Sequence, residues 1–378
     1  LSAPRADHAA ESSSSAADAG PRSQAVVQLA PPAEGGVMDY LACLETAWQA
    51  AGVPAHRLLV DEAACAAVPL YRRLDALVGQ QTCSVVLHYS GYGYARRGLC
   101  GWLLDELATL RRTRGQQLRL IVVFHELYAV GPPWRSAFWL APVQASLAAR
   151  LARLADALWT NGTAHADWLR RHTGPGRELH VQPVFSNVGE AAQPLALVDR
   201  LPRAVVFGSA STRQRAFDAL GDQPDLLASM GVREWVEVGS GPACAPASLR
   251  CHHAGRLAAP DIAALLQHSR VAVLDYTAEL LGKSGVLAAY AAQGCLVLDT
   301  CCAGSDADGL RAGHHYLRSA DLPASGADPI ALQAMADALR HWYAGHTLAR
   351  QADELLALAR GHASESALPE LSHASAGA

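Results

Sequence analysis

Short apolar runs alternate along this chain with stretches whose apolar residues recur at helical spacing, and this alternation constrains the fold most. A strand that is apolar throughout needs cover on both faces, which a parallel sheet between two helix layers provides. The pattern predicts strands at Val26–Leu29, Arg57–Val60, Ser84–Tyr89, Leu118–His125, Ala157–Thr160 and Leu179–Val184. One intervening helix carries Tyr40, Leu41, Leu44, Ala47 and Trp48 on a single face, and others fall at 101–112 and 143–156. A polar, proline-containing stretch at 189–202 interrupts the series. It restarts with strands at Ala204–Phe207, Glu234–Val238, Val271–Leu274 and Cys295–Asp299. Helices are expected at 213–220, 260–268, 284–293, 331–343 and 348–360.

Two such series imply two α/β domains, and 378 residues is about twice the length of one ordinary domain. The expected organisation is a disordered leader at 1–23 and a first domain at 24–188, then a linker at 189–202 and a second domain at 203–345. A helix at 346–363 and a flexible tail at 364–378 complete it. The leader is rich in Ala, Ser and charge and lacks the apolar core of a signal peptide. No uncharged apolar run approaches the roughly 20 residues of a membrane span. A net charge of −4 gives no electrostatic case for nucleic acid. Nine cysteines, none in a CxxC pair and most within apolar runs, predict buried free thiols rather than a disulfide framework or a metal site.

In parallel α/β sheets, ligands bind beyond the carboxyl ends of the strands, where loops enter helices. Three such places carry suitable residues. After the first strand, Gly35 and Gly36 let the backbone approach a ligand, although the loop lacks the GxGxxG spacing of a dinucleotide site. Later, Gly282-Lys283-Ser284-Gly285 offers amides, a hydroxyl and a cation suited to a diphosphate. Lys283 is the only lysine in a chain whose other basic residues are arginine, which sharpens that reading. An exposed surface lysine is the plain alternative. Third, His125-Glu126 closes the fourth strand; Ala129 stands where an HExxH zinc motif needs histidine. The pairs His252-His253, His314-His315 and Cys301-Cys302 lack ligand spacing and read as structural or solvated. Tyr92, Tyr94 and Arg97 in one loop, and Trp134 and Arg135 in another, suggest an acceptor groove, since aromatic faces suit sugar rings and arginine suits phosphate.

Several of these segments resemble the family-four-like (group 1) GT-B glycosyltransferases. The Pro31-Pro32 to Gly35-Gly36 loop is similar to that family's N-terminal glycine loop, and Phe124-His125-Glu126 to its strand-end histidine motif. Ala155 to Asn161, Pro183 to Asn187, Ala254 to Leu257 with Asp261 to Leu266, and Leu281 to Thr300 resemble successive segments of the same family. The family's glutamate pair would fall at Leu281 and Ala289, so both carboxylates are missing. Lys283-Ser284 stands in place of the usual Phe-Gly.

The resemblance implies a GT-B fold, two Rossmann-like domains facing across a cleft. It implies a hexosyltransferase-like enzyme moving sugar from a nucleotide-sugar to an acceptor hydroxyl, in polysaccharide or glycolipid synthesis. His125 and Glu126 would serve catalysis, while Gly35, Gly36, Gly208, Arg213, Arg215, Gly282, Lys283, Ser284 and Gly285 would hold the donor. Tyr92, Tyr94, Arg97, Trp134 and Arg135 would receive a sugar or lipid-linked acceptor. Neither a metal nor a cofactor is expected. The expected location is the cytoplasm, with peripheral contact at the inner face of the membrane allowed. The missing glutamates keep a second reading open, a non-catalytic GT-B protein or partner; a nicotinamide-dependent oxidoreductase is disfavoured by the absent fingerprint.

Overall fold

The computed structural model describes residues 25–32, 35–221, 224–241, 243–321 and 328–361. The expected leader, Ala33-Glu34 of the glycine loop, and the tail lie outside the described residues. The first sheet contains β1 (Ala25–Ala30), β2 (Ala55–Leu59), β3 (Cys83–Tyr89), β4 (Leu118–Phe124), β5 (Ala157–Thr160) and β6 (Glu178–Val181). The second contains β7 (Leu201–Phe207), β8 (Glu234–Val238), β9 (Arg250–Gly255), β10 (Ser269–Leu274), β11 (Leu296–Asp299) and β12 (Leu317–Arg318).

Each pairing between these strands is parallel. The order is β2-β1-β3-β4-β5-β6 in one sheet and β12-β11-β10-β7-β8-β9 in the other. The second order is that of dinucleotide-binding sheets, and it reverses between β7 and β10. The first reverses between β1 and β3. Ligands gather at such switch points because neighbouring loops diverge there and leave a crevice.

Burial follows from strand alternation. Val27, Leu29, Val85, Leu87, Leu120 and Val122 fill the core on one face of the first sheet. Val26, Val86, Ile121, Val123 and Trp159 fill the other, together with Leu355, Leu358 and Ala359 from the last helix, Leu348–Arg360. That helix docks on the first sheet although it ends the described chain. Trp48 donates to the Ala352 carbonyl at 2.8 Å, Ser84 to the Ala359 carbonyl at 2.6 Å, and Arg119 to the Leu358 carbonyl at 2.7 Å.

Several elements differ from the sequence expectation. Edge strand β9 was not expected because most of its residues are exposed and it carries no apolar run. Helices at Glu62–Ala67, Leu70–Val78 and Thr163–Thr173 were likewise missed. The helix expected at 143–156 runs from Ser136 to Leu154, so the aromatic stretch after Trp134 is largely helix rather than loop. All nine cysteines are free thiols, but only Cys65, Cys83, Cys100 and Cys295 are fully buried. Among the described residues, no helix is long and apolar enough to cross a membrane.

Candidate functional site

On the first sheet, one strand face changes from apolar to polar at its carboxyl edge. Gln28, His88 and His125 each stand two residues beyond Val26, Val86 and Val123, so alternation places all three on that same face. They form a chain: Gln28 Oε1 meets His88 Nε2 at 3.0 Å, and His88 Nδ1 meets His125 Nε2 at 3.2 Å. The Gln28 amide nitrogen points to the Leu41 carbonyl, so its oxygen is left to accept from His88 Nε2. His88 Nδ1 then accepts from His125 Nε2, and the free lone pair of His125 lies on Nδ1. A second proton would set two N–H groups against each other. Burial and the neighbouring His125 hold His88 well below the usual histidine range. Burial and the Lys283 ammonium push His125 down to about 3. Both rings are therefore neutral at physiological pH.

Further groups fix the edge of this chain. Tyr40 packs edge-on against His125, with centroids 5.0 Å apart, and its hydroxyl donates to Gln351 Oε1 at 2.9 Å. Tyr94 is buried and donates to the His88 carbonyl at 3.0 Å, so it braces the relay and does not face an acceptor. Glu126 is exposed and accepts from the Ser90 hydroxyl at 2.9 Å. Tyr92 and Arg97 are exposed beside it, held through Gln144, which donates to the Tyr92 hydroxyl at 3.3 Å and the Arg97 carbonyl at 2.7 Å. Gly35 has φ 128°, which a side chain rarely adopts, and open space surrounds both Gly35 and Gly36. Trp134 and Arg135 lie exposed where helix Ser136–Leu154 begins.

The second sheet presents ions instead. Lys283 ends a short turn, Ala278–Lys283, that follows β10. It is half-buried, not exposed: burial lowers its ammonium below the usual range, and Glu126 of the first half partly offsets this. Lys283 also helps depress His125 and His165, both of the first half, so one cation faces three groups across the cleft. Ser284 caps the next helix, Gly285–Ala292, accepting from the Leu287 amide at 3.2 Å. The Gly285 and Val286 amides then occupy the first-turn positions that a helix itself leaves without partners.

The two predicted arginines part company. Arg213 is fully buried, donates to Glu237 at 2.7 Å, and also reaches the carbonyls of Gly208, Ser240 and Gly241. It braces the loop after β7, with four of its five N–H donors taken and the side chain closed off from solvent, so it does not face a ligand. Arg215 is half-exposed and pairs with Asp275 at 2.6 Å, linking the helix after β7, Ala210–Gly221, to the loop after β10 at the switch point.

Sequence reasoning missed Asp308. Its Oδ1 accepts from the Thr163 amide of the first half at 2.7 Å, at the positive end of helix Thr163–Thr173. Its carboxylate lies so close to Gly282 that a Cβ there would collide with it. The Val184 amide donates to the Gly282 carbonyl at 2.8 Å, a second tie across the cleft floor. Leu281 and Ala289, where the glutamate pair would fall, are buried in the core.

No protein-family model matches the chain, and no curated protein does. Solved structures do. The chain is similar to an alpha,alpha-trehalose-phosphate synthase (UDP-forming) from Burkholderia vietnamiensis, with TM-score 0.58, 11 % identity, and 89 % of this chain and 97 % of that one covered. An alpha-glucosyltransferase solved with UDP and a 13-mer DNA gives TM-score 0.55 and 9 % identity, covering 88 % and 98 %. The N-terminal domain of Candida albicans trehalose-6-phosphate phosphatase gives 0.53 and 9 %, covering 90 % and 97 %. A chain of the GtfA/B complex is matched over 59 % of its length, at TM-score 0.48 and 14 % identity. At these identities the likeness shows the fold: two Rossmann-like domains of the GT-B type facing across a cleft.

Proposed function

We propose that this chain is a glycosyltransferase whose second half holds a nucleotide-sugar and whose first half presents the acceptor hydroxyl. The observation that carries the reading is Lys283, the chain's single lysine, set half-buried against His125 and Glu126 of the opposite half. In the reaction, the acceptor oxygen bonds to the anomeric carbon as the bond from that carbon to the diphosphate breaks, and the acceptor's hydroxyl proton passes to the departing diphosphate. The charge that develops on the departing diphosphate needs fixed positive partners, because preorganised charge in a shielded cleft needs no reorganisation during the step. Lys283, Arg215 and the Gly285 and Val286 amides are such partners. The neutral His125, with its lone pair on Nδ1, suits a sugar hydroxyl rather than an anion.

The motif resemblance supports placing the chain in the family-four-like group, with a hexose as the transferred sugar. The exposed Val130, Trp134, Phe138 and Trp139 support a lipid-linked acceptor met at a membrane surface. A second reading is favoured by one observation, the apolar Leu281 and Ala289 in place of the glutamates: a non-catalytic GT-B protein that binds the donor without turnover. Incubation with nucleotide-sugars and acceptors tests both. Acceptor-dependent release of nucleoside diphosphate supports transfer; binding without release supports the second reading.

A further inference from the structure

Away from the cleft, the outer edge of the second sheet gathers three side chains of metal-ligand type. Strands β8 and β9 pair with Trp235 opposite Cys251 and Glu237 opposite His253. Residues two apart on a strand share a face, so Cys251 and His253 stand on one side of β9, with Glu237 beside them on β8. Cys251 Sγ, a His253 ring nitrogen and a Glu237 carboxylate oxygen all lie within 4.8 Å of one another. The sequence hid this because a Cys-x-His pair matches no ligand spacing of a loop or helix; the strand supplies the third ligand from a neighbour 14 residues earlier.

We propose that Glu237, Cys251 and His253 form a site for a divalent transition ion of the zinc class. One thiolate, one imidazole and one carboxylate make a borderline-soft set, and water completes a tetrahedron. Arg213 serves as the outer partner that orients a ligand: its Nε holds Glu237 Oε1 at 2.7 Å, and Oε2 is turned toward His253. Glu237 is buried, Cys251 half-buried, and the His253 side chain exposed, so the ion enters from the solvent side of β9. A bound ion would fasten an otherwise exposed edge strand to the sheet. Through Arg213 it would also stiffen the turns at Gly208 and Ser240-Gly241. The site is independent of the glycosyl-transfer reading, since none of its residues faces Lys283 or His125.

Cobalt(II) titration of the reduced full chain tests it, because a cobalt–thiolate bond gives a near-ultraviolet charge-transfer band. The wild type should develop that band and lose it when zinc is added. Cys251→Ser should abolish it. His253→Ala, a change at an exposed side chain that leaves the fold intact, should weaken cobalt binding by more than the roughly 10–100-fold that loss of an outer partner causes. Cys244→Ser and Cys302→Ser, at exposed thiols elsewhere, should leave it unchanged. Zinc should raise the melting temperature of the wild type and not of Cys251→Ser. A wild type without the band, a band that survives Cys251→Ser, or one lost with Cys244 or Cys302 would overturn the assignment.

Discussion

The two halves share a six-stranded parallel sheet but treat polarity at the cleft in opposite ways. The first half ends its central strands in neutral hydrogen-bonding groups, Gln28, His88 and His125, linked in line and kept uncharged by burial. The second half ends its strands in ions: Arg215–Asp275 at the mouth, and Lys283 facing across. Neutral donors and acceptors discriminate hydroxyl groups, whereas fixed cations hold a diphosphate. One architecture thus offers two surfaces suited to the two partners of a group transfer.

The strongest way to break this comparison is His125→Ala. If the neutral relay serves the reacting sugar, turnover should fall by about 100-fold or more while nucleoside diphosphate affinity stays near wild type. Steady-state kinetics beside titration calorimetry separates the two. Loss of diphosphate affinity with turnover would show that the halves do not divide the work this way. Leu355→Ala probes packing: this fully buried residue belongs to the last helix but sits on the first sheet. Unfolding by urea should show a loss of about 2–5 kcal/mol.

Dependence on pH should have opposite signs at the His88–His125 pair and at Asp299. Buried His88 and half-buried His125 in the first half have folded values below the unfolded value of about 6.5. The unfolded chain therefore binds more protons below that pH, and their contribution, complete above it, is lost as pH falls toward about 3. Asp299 in the second half behaves in reverse, since burial pushes it up to about 7 and one carboxylate oxygen has no partner. There the folded chain holds the extra proton, so stability falls as pH rises from about 4 through 7. Asp299→Asn should therefore raise the melting temperature relative to wild type more at pH 8 than at pH 4. An equal shift at both would refute the assignment. The smallest effect is expected at Trp134 and Trp139, 84 % and 70 % exposed. Replacing both with Ala should change stability by no more than about 0.5 kcal/mol, yet reduce binding to lipid vesicles.

The fold class was legible because the alternation of apolar runs with amphipathic stretches repeats on both sides of one polar segment. Strand ends and loops were legible as candidate sites for the same reason. Which side chain there faces a ligand was not. Tyr94, Arg213 and Ser284 are of the expected types, yet one braces a strand end, one joins a buried ion pair and one caps a helix. Those roles depend on partners distant in sequence. Gln28 and His88 carried a usable signal, a polar residue two positions beyond a buried valine near a strand's end, but it becomes visible only when strands are compared side by side. Asp308 carried none, since its partners at Gly282 and Thr163 are reached only through the tertiary fold.

The division of labour rests finally on Lys283. Calorimetric titration of wild type and Lys283→Ala with a nucleoside diphosphate, and with the nucleoside alone, tests it directly. Loss of one charged hydrogen-bond partner should weaken diphosphate binding by about 1.5–3 kcal/mol. The nucleoside, which has no phosphate to contact, should bind both proteins alike. Lys283→Arg should recover part of the loss, because a planar fork does not reproduce a compact ammonium in this tight turn. Equal diphosphate affinity in wild type and Lys283→Ala would contradict the account and remove the donor site from the second half's cleft edge.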